Sequence, residues 1–390
     1  MRSHRSGRIR AVLCGGAVTV GLLASCTVLP GGQPGRGPVR GEHPAGPPPP
    51  SASAAAAAPS AAAAPSGSAA PPASAASGSS APVAAAEPLV GAFLGSGPEG
   101  VRRIQDMERW LGGRRLRVGH TYLPGRQWSE IEGPPRLLSP WARWRQERSD
   151  RLLVLNVPMA DQNEAGKSDE WVRALLRRGA AGRFDTHYRT LAERLVRQGL
   201  TDTVVVLGWE MNGTTYTHRC GPDPAVWKAY WRRIVATMRA VPGQRFRFDF
   251  APSRGRDAVP WTRCYPGDDV VDVLGMDAYD QPAGMPFAEQ VREPYGLQAH
   301  VDFAARHRKP ISYPEWGLFR NGDNAEYVGR MLAWMDRHRP LYQTITDYCP
   351  HGVWGCRHNP ASSATYRTAL SAAPRHWWGR YWGWLRTLAG

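Results

Sequence analysis

The 390-residue sequence is poor in acidic residues and in lysine. It has 33 acidic residues against 49 basic ones, which gives a formal net charge of +16, and only Lys167, Lys228 and Lys309 are lysines. Such a charge suggests nucleic-acid binding, but no motif for nucleic-acid recognition accompanies it. We interpret the arginine-rich charge as a solvated surface, suited to a polyanionic cell wall, and expect no nucleic-acid partner.

The N-terminal apolar stretch is also short. It covers Ala11–Ala24 after a basic segment, which is too short to span a bilayer comfortably and is typical of a signal peptide. Leu23-Ala24-Ser25-Cys26 resembles the bacterial lipobox, in which the cysteine is acylated; the alternative is an ordinary signal peptide with a chance cysteine. The sequence therefore predicts a lipoprotein signal peptide over 1–26 and a lipid anchor on Cys26 at the outer face of the membrane.

Residues 27–87 contain little besides Ala, Pro, Ser and Gly. Such a composition cannot bury enough apolar surface to fold, so a disordered, extended spacer is predicted. Residues 88–372 are long enough for one large domain, which we expect to be monomeric. A Trp-rich basic tail follows over 373–390; it could lie at a membrane interface, stack on wall glycans or cap the domain.

Eight β-branched apolar runs recur in this domain, separated by helix-period stretches such as Phe287–Arg308. This alternation predicts parallel βαβ units and a (β/α)₈ barrel. Polar or aromatic residues follow several of the runs, at the barrel face where active sites are built. The predicted strands are Leu89–Leu94, Leu116–Tyr122, Leu152–Val157, Thr203–Leu207, Phe246–Phe250, Val271–Gly275, Pro310–Tyr313 and Tyr342–Thr346.

Two glutamates stand at the ends of the fourth and seventh predicted strands. Glu210 follows an apolar run in Gly-Trp-Glu-Met-Asn-Gly, and Glu315 follows Lys-Pro-Ile-Ser-Tyr-Pro. Opposed carboxylates are what glycosidic bond cleavage requires, one protonated as the acid and one ionised as the nucleophile. Trp209 supplies an apolar neighbour for Glu210, and Tyr279 could donate to Glu315. Alternatively, either glutamate is an ordinary surface or salt-bridging residue.

Three segments resemble glycoside hydrolase family 26, a β-mannanase family of retaining (β/α)₈ enzymes. They are Glu-Met-Asn-Gly at Glu210, Lys309-Pro310-Ile311 with Glu315-x-Gly317, and the stretch from Tyr265 to Tyr279. The resemblance implies Glu210 as acid/base, Glu315 as nucleophile and Tyr279 as its partner, with no cofactor and no metal. The family usually carries His where this chain has Trp209, so the identity of the β-linked polysaccharide stays open.

The predicted substrate-binding residues combine these motifs with the aromatic residues near strand ends. Trp354 could equally be a core aromatic residue. The full set is His120, Trp209, Asn212, Tyr279, Trp316 and Trp354.

Four cysteines follow residue 87, an even number that suggests two disulfides in an exported protein. Cys220 and Cys264 belong to loops after neighbouring predicted strands, so we expect them to pair, and Cys349 to pair with Cys356. Histidines two residues after Cys349 and Cys356 make a zinc site the alternative.

The preferred hypothesis is a retaining endo-acting glycosidase on a β-linked polysaccharide. The alternatives are a carbohydrate-binding protein without catalytic activity and a basic, wall-associated lipoprotein on the same fold.

Overall fold

The computed structural model describes residues 87–371, which form a parallel barrel surrounded by helices. The predicted signal peptide with Cys26, the spacer up to residue 86 and the C-terminal tail lie outside the described residues. The strands are β1 (Leu89–Phe93), β2 (Val118–Tyr122), β3 (Leu152–Val157), β4 (Val204–Leu207), β5 (Arg247–Phe250), β6 (Val273–Gly275), β7 (Ala278–Tyr279), β8 (Ile311–Gly317) and β9 (Tyr342–Thr346). The helices are α1 (Gly97–Trp110), α2 (Trp128–Ile131), α3 (Pro135–Gln146), α4 (Asp169–Ala180), α5 (Asp185–Arg197), α6 (Pro224–Arg239), α7 (Phe287–Arg292), α8 (Leu297–His307), α9 (Ala325–His338) and α10 (Pro360–Leu370), with a 3₁₀ turn at Trp261–Cys264.

The barrel closes because β6 pairs with both β5 and β8, and β1 pairs with β9. Leu274 of β6 lies beside Ile311, and Ala278 of β7 lies beside Trp316 further along the same strand. The two short strands are thus halves of one barrel strand, interrupted between Gly275 and Ala278. Eight parallel barrel strands result, and the predicted (β/α)₈ fold is confirmed.

Two predicted elements differ from the structure. The strand predicted over Pro310–Tyr313 runs on to Gly317, so Glu315 lies within a strand rather than after it. The stretch Phe287–Arg308 is two helices, since α7 ends at Arg292 and α8 starts at Leu297. Pro294 has no N–H for a helical hydrogen bond, which explains the break.

The main hydrophobic core lies between the barrel strands and the helices. Trp141 and Trp144 of α3 pack on β2 at Gly119, where a Cβ atom would lie 2.7 Å from the Trp141 ring. A second apolar cluster combines strand residues such as Val154 and Val206 with Trp209 and Tyr216, which follow the end of β4. Within residues 87–371, no helix is long and apolar enough to cross a membrane.

Candidate active site

A strained turn at the end of β4 carries Glu210. Gly208 has φ +62°, and Glu210 has φ +49°, which is uncommon for a residue with a side chain. A Cβ atom at Gly208 would lie 2.5 Å from the sulfur of Met159. The Glu210 N–H donates to the Ala251 carbonyl at 2.8 Å, which fixes the turn against the end of β5. Backbone strain of this kind clusters at functional sites.

The surroundings of Glu210 favour its protonated form. Burial raises the pKa of its carboxyl to about 8, and the negative charges of Glu315 and Asp257 add to the increase. The Ser253 hydroxyl donates to Oε1 at 2.9 Å and acts in the opposite direction. Glu210 therefore carries a proton at neutral pH and can give it to a leaving group.

Glu315 lies on β8 with only 6 % of its surface exposed. The Tyr279 hydroxyl donates to its Oε2 atom at 2.7 Å, and Asn156 Nδ2 donates to Oε1 at 3.1 Å. Burial raises the pKa of Glu315, whereas hydrogen bonds from Tyr122, Tyr279 and Asn156 lower it. Three donors stabilise the ionised carboxylate, which is the form that a nucleophile requires.

A third carboxyl group, Asp277, lies in the break between β6 and β7. Burial raises its pKa well above the ordinary value, and the charges of Glu315, Glu210 and Asp249 add to the increase. Its protonated form is therefore more favoured than that of an exposed aspartate. Among the described residues, Glu210 and Glu315 differ in what surrounds them at the mouth of the barrel: the pKa of Glu210 is raised to about 8, whereas three side-chain donors stabilise the charged form of Glu315.

The structure places the predicted substrate-binding residues at different depths. Trp209 is part of an aromatic wall, with its ring 5.5 Å from Tyr122 and 5.1 Å from Tyr216. His120 is completely buried and bonds Asn156 rather than facing the mouth. The Tyr279 hydroxyl donates a hydrogen bond to Glu315, the contact that the sequence predicted.

Asn212 and Trp316 do not reach the mouth. The Asn212 side chain donates to the Ser253 carbonyl at 3.0 Å and accepts from its N–H at 2.9 Å. It therefore acts on the site through Ser253. Trp316 is fully buried, 6.0 Å from the ring of Tyr366 on α10, so its indole cannot contact a substrate here.

The loop after β9 holds Trp354 in a partly buried position. The backbone N–H of Trp354 donates to Asp347 Oδ1 at 2.8 Å, and the Arg103 guanidinium lies 5.2 Å from the indole ring. Trp354 also packs against the main core, so both of its predicted roles remain compatible with its place.

Both expected disulfides form. Cys220 bonds Cys264 and Cys349 bonds Cys356, with Cα–Cα distances of 6.1 and 4.8 Å. His358 has a ring nitrogen within 4.8 Å of the second pair. Zinc binding needs free thiolates. Because the disulfide uses both sulfur atoms, the disulfide and not the zinc site is the arrangement in this loop.

Sequence reasoning missed Asn156, Ser253 and Tyr216. Asn156 is a polar residue inside the apolar run of β3, which was the one available signal. Ser253 follows β5 in an ordinary Ala-Pro-Ser segment, and Tyr216 lies in a loop. Only the closure of the barrel brings these residues to the two glutamates.

Comparisons with known proteins agree with this geometry. Residues 206–296 match the model of glycosyl hydrolase family 26; this segment contains Glu210 and Tyr279 and ends before Glu315. No curated protein sequence matches the chain.

Several solved structures share the fold. An endo-β-1,4-mannanase from Cellulomonas fimi has a TM-score of 0.57 and 19% identity, over 74% of this chain and 71% of that one. A family-26 β-mannanase from Bacteroides ovatus has a TM-score of 0.53 and 17% identity, over 74% of this chain and 89% of that one. The Bacillus subtilis mannanase BCman has a TM-score of 0.54 and 16% identity, over 72% of this chain and 84% of that one.

Two carboxyl groups at the mouth of a parallel barrel, with the protonated form of one favoured and the charged form of the other stabilised by donors, are the arrangement that glycoside hydrolases use. The segment around Glu210 and Tyr279 is similar to glycosyl hydrolase family 26, and this segment together with the fold indicates a glycoside hydrolase.

Proposed function

We propose that the chain is a retaining, endo-acting hydrolase of a β-linked polysaccharide of the mannan type. Glu210 acts as acid/base and Glu315 as nucleophile. The observation that carries this proposal is the unequal hydrogen bonding of the partly buried Glu210 and the buried Glu315: within the described residues, one side chain donates to Glu210 and three donate to Glu315. The mannanase names of the similar structures support mannan as the substrate class.

In the first step, Glu315 attacks the anomeric carbon while Glu210 protonates the departing glycosidic oxygen. The negative charge of Glu315 disappears once the glycosyl ester forms. Because that charge helps to raise the pKa of Glu210, the pKa then falls and Glu210 becomes a base. It can now take a proton from the water that cleaves the ester, which restores both groups.

The experiment compares Glu210→Ala and Glu315→Ala with the wild type on mannans, β-glucans, xylans and wall glycans. Glu326→Gln is the matched control, since this exposed glutamate on α9 pairs only locally with Arg330. We expect hydrolysis of mannan by the wild type and the control, giving a mixture of oligosaccharides. Loss of a general acid lowers the rate by roughly 10²–10⁴-fold, and loss of the nucleophile abolishes turnover.

Two further measurements separate the roles. An activated aryl glycoside needs no proton on its leaving group, so Glu210→Ala should still form the glycosyl ester. Azide should then restore turnover and give a glycosyl azide of retained configuration, because it attacks the ester without a general base. Proton NMR of the first product should show the anomer of the substrate. An inverted first product contradicts the double displacement, and inactivity of the wild type on every glycan contradicts the proposed function.

We also propose that a lipid on Cys26 and the spacer over 27–87 hold a monomeric barrel outside the membrane. The lipobox-like sequence and the spacer composition support this placement. Light scattering of the purified chain, which measures its molar mass in solution, tests whether the protein is a monomer.

A further inference from the structure

A continuous series of hydrogen bonds runs beneath Glu315 and links four barrel strands. His120 on β2 has its Nε2 atom 2.9 Å from Asn156 Oδ1 and its Nδ1 atom 3.0 Å from Thr344 Oγ1. Asn156 on β3 in turn donates from Nδ2 to Glu315 on β8 at 3.1 Å. His120, Asn156 and Thr344 are completely buried, so a sugar at the mouth cannot reach the imidazole.

We propose that His120 is a positioning residue for the nucleophile: its imidazole fixes the Asn156 amide with Nδ2 directed at the Glu315 carboxylate. The inference rests on the proposed role of Glu315. A side-chain amide has a donor end and an acceptor end. Only the donor end stabilises an ionised carboxylate, and a turned amide presents its oxygen, which suits a protonated carboxyl group instead. The partner behind the amide therefore decides which form of Glu315 is favoured.

The ring nitrogen of His120 that carries the proton determines which end of the Asn156 amide faces Glu315. Burial lowers the pKa of His120 to about 4, so the ring is neutral near pH 7 and carries a single N–H. With the proton on Nε2, the ring donates to Asn156 Oδ1 and leaves Nδ2 for Glu315. With the proton on Nδ1, the ring accepts from Nδ2, and the amide oxygen turns to Glu315.

Thr344 can serve both arrangements. Its hydroxyl lies near His120 Nδ1 and also contacts the Pro314 carbonyl. It donates to the ring when Nε2 carries the proton, and to Pro314 when Nδ1 does. The tautomer of His120, the orientation of Asn156 and the proton on Glu315 thus change together.

Other titratable groups also face Glu315, and they limit what a pH profile reports. The pKa values of the tyrosines and of Asp277 are raised, and that of Glu210 is raised to about 8, within the working pH range. Glu210 loses its proton at the alkaline end, which leaves the acid limb to Glu315. The groups are Tyr122 from β2, Tyr279 from β7, Asp277 from the β6–β7 break, Glu210 and Tyr216 from the loop after β4, and Tyr348 from the loop after β9.

The test measures the pKa of Glu315 by carbon-13 NMR of labelled glutamate carboxyls, assigned by difference from Glu315→Gln, beside the acid limb of kcat/KM. The variants are His120→Leu, His120→Asn, His120→Gln and Asn156→Leu. The amide nitrogen of Gln can take the place of Nε2, whereas that of Asn matches Nδ1 and cannot reach Asn156. We expect a rise of about one pH unit in the Leu and Asn variants, since one hydrogen bond to a charged group has that size. His120→Gln should stay close to the wild type.

A double variant, His120→Leu with Asn156→Leu, should shift the pKa no further than Asn156→Leu alone, because His120 acts through Asn156. Additive shifts, or a raised KM with an unmoved acid limb, overturn the proposal. If His120→Leu does not fold, the Asn and Gln pair decides. The NMR titration needs no substrate, so it still answers if no glycan is cleaved and the proposed function fails.

Discussion

Replacing Ser253 with alanine should raise the pH at which Glu210 loses its proton. The Ser253 hydroxyl donates to Oε1 at 2.9 Å and lowers the pKa of Glu210. A hydrogen bond to a charged group contributes about 1.5–3 kcal/mol, and one pKa unit corresponds to about 1.4 kcal/mol. Ser253 is 7% exposed, so water can replace part of the lost bond. We therefore expect a rise of about one unit.

The assay is kcat/KM for mannan hydrolysis against pH. The alkaline limb, which reports the acid form of Glu210, should move upward in Ser253→Ala while the acid limb stays in place. The maximum kcat should fall modestly, since a weaker acid protonates the leaving oxygen less readily. Ser253→Thr keeps a hydroxyl and serves as the matched control. An alkaline limb that stays in place or moves downward would refute the reasoning.

Three other predictions concern separate parts of the molecule. Tyr279→Phe removes a donor that lowers the pKa of Glu315, so the acid limb of kcat/KM should rise; an unmoved limb contradicts this. Replacing Cys220 and Cys264 by serine opens a link across 44 residues and should cost about 4 kcal/mol of unfolding free energy on the chain-entropy model; an unchanged urea midpoint would count against it. Cys26→Ser should abolish incorporation of labelled palmitate and release the protein from membranes, whereas equal labelling of both forms rules out acylation there.

The barrel was predictable because its signals are local. Apolar runs of four to seven residues alternate with amphipathic helices, and parallel strands need such crossovers. The interruption of the sixth barrel strand was not predictable, since Met276 and Asp277 lie in a run that looks continuous. The break arises where the Asp277 N–H donates to the Pro252 carbonyl at 2.9 Å.

The candidate site was predictable only in part. Glu210 and Glu315 each end an apolar run in a distinctive motif, so the sequence alone locates them. The donors around them come from β2, β3, β7 and the loop after β5, and their spacing along the chain carries no sign of contact. His120 illustrates the difference. From its place near a strand end, His120 would be expected to contact a sugar. Its hydrogen bonds to Asn156 and Thr344 show instead that it lies below the surface of the site.

The division of roles between the two glutamates is better explained by their donors than by their sequence neighbours. Trp209 beside Glu210 suggested an apolar setting for the acid, yet both carboxyl groups are subject to burial that raises their pKa values. Glu315 differs because, within residues 87–371, three side chains donate to it, whereas Ser253 is the one side-chain donor to Glu210. The charge kept on Glu315 by those donors then raises the pKa of Glu210 further. The pKa of the acid is therefore raised first by burial and then by the charge on the nucleophile, so changing a donor on Glu315 should also alter the alkaline limb governed by Glu210.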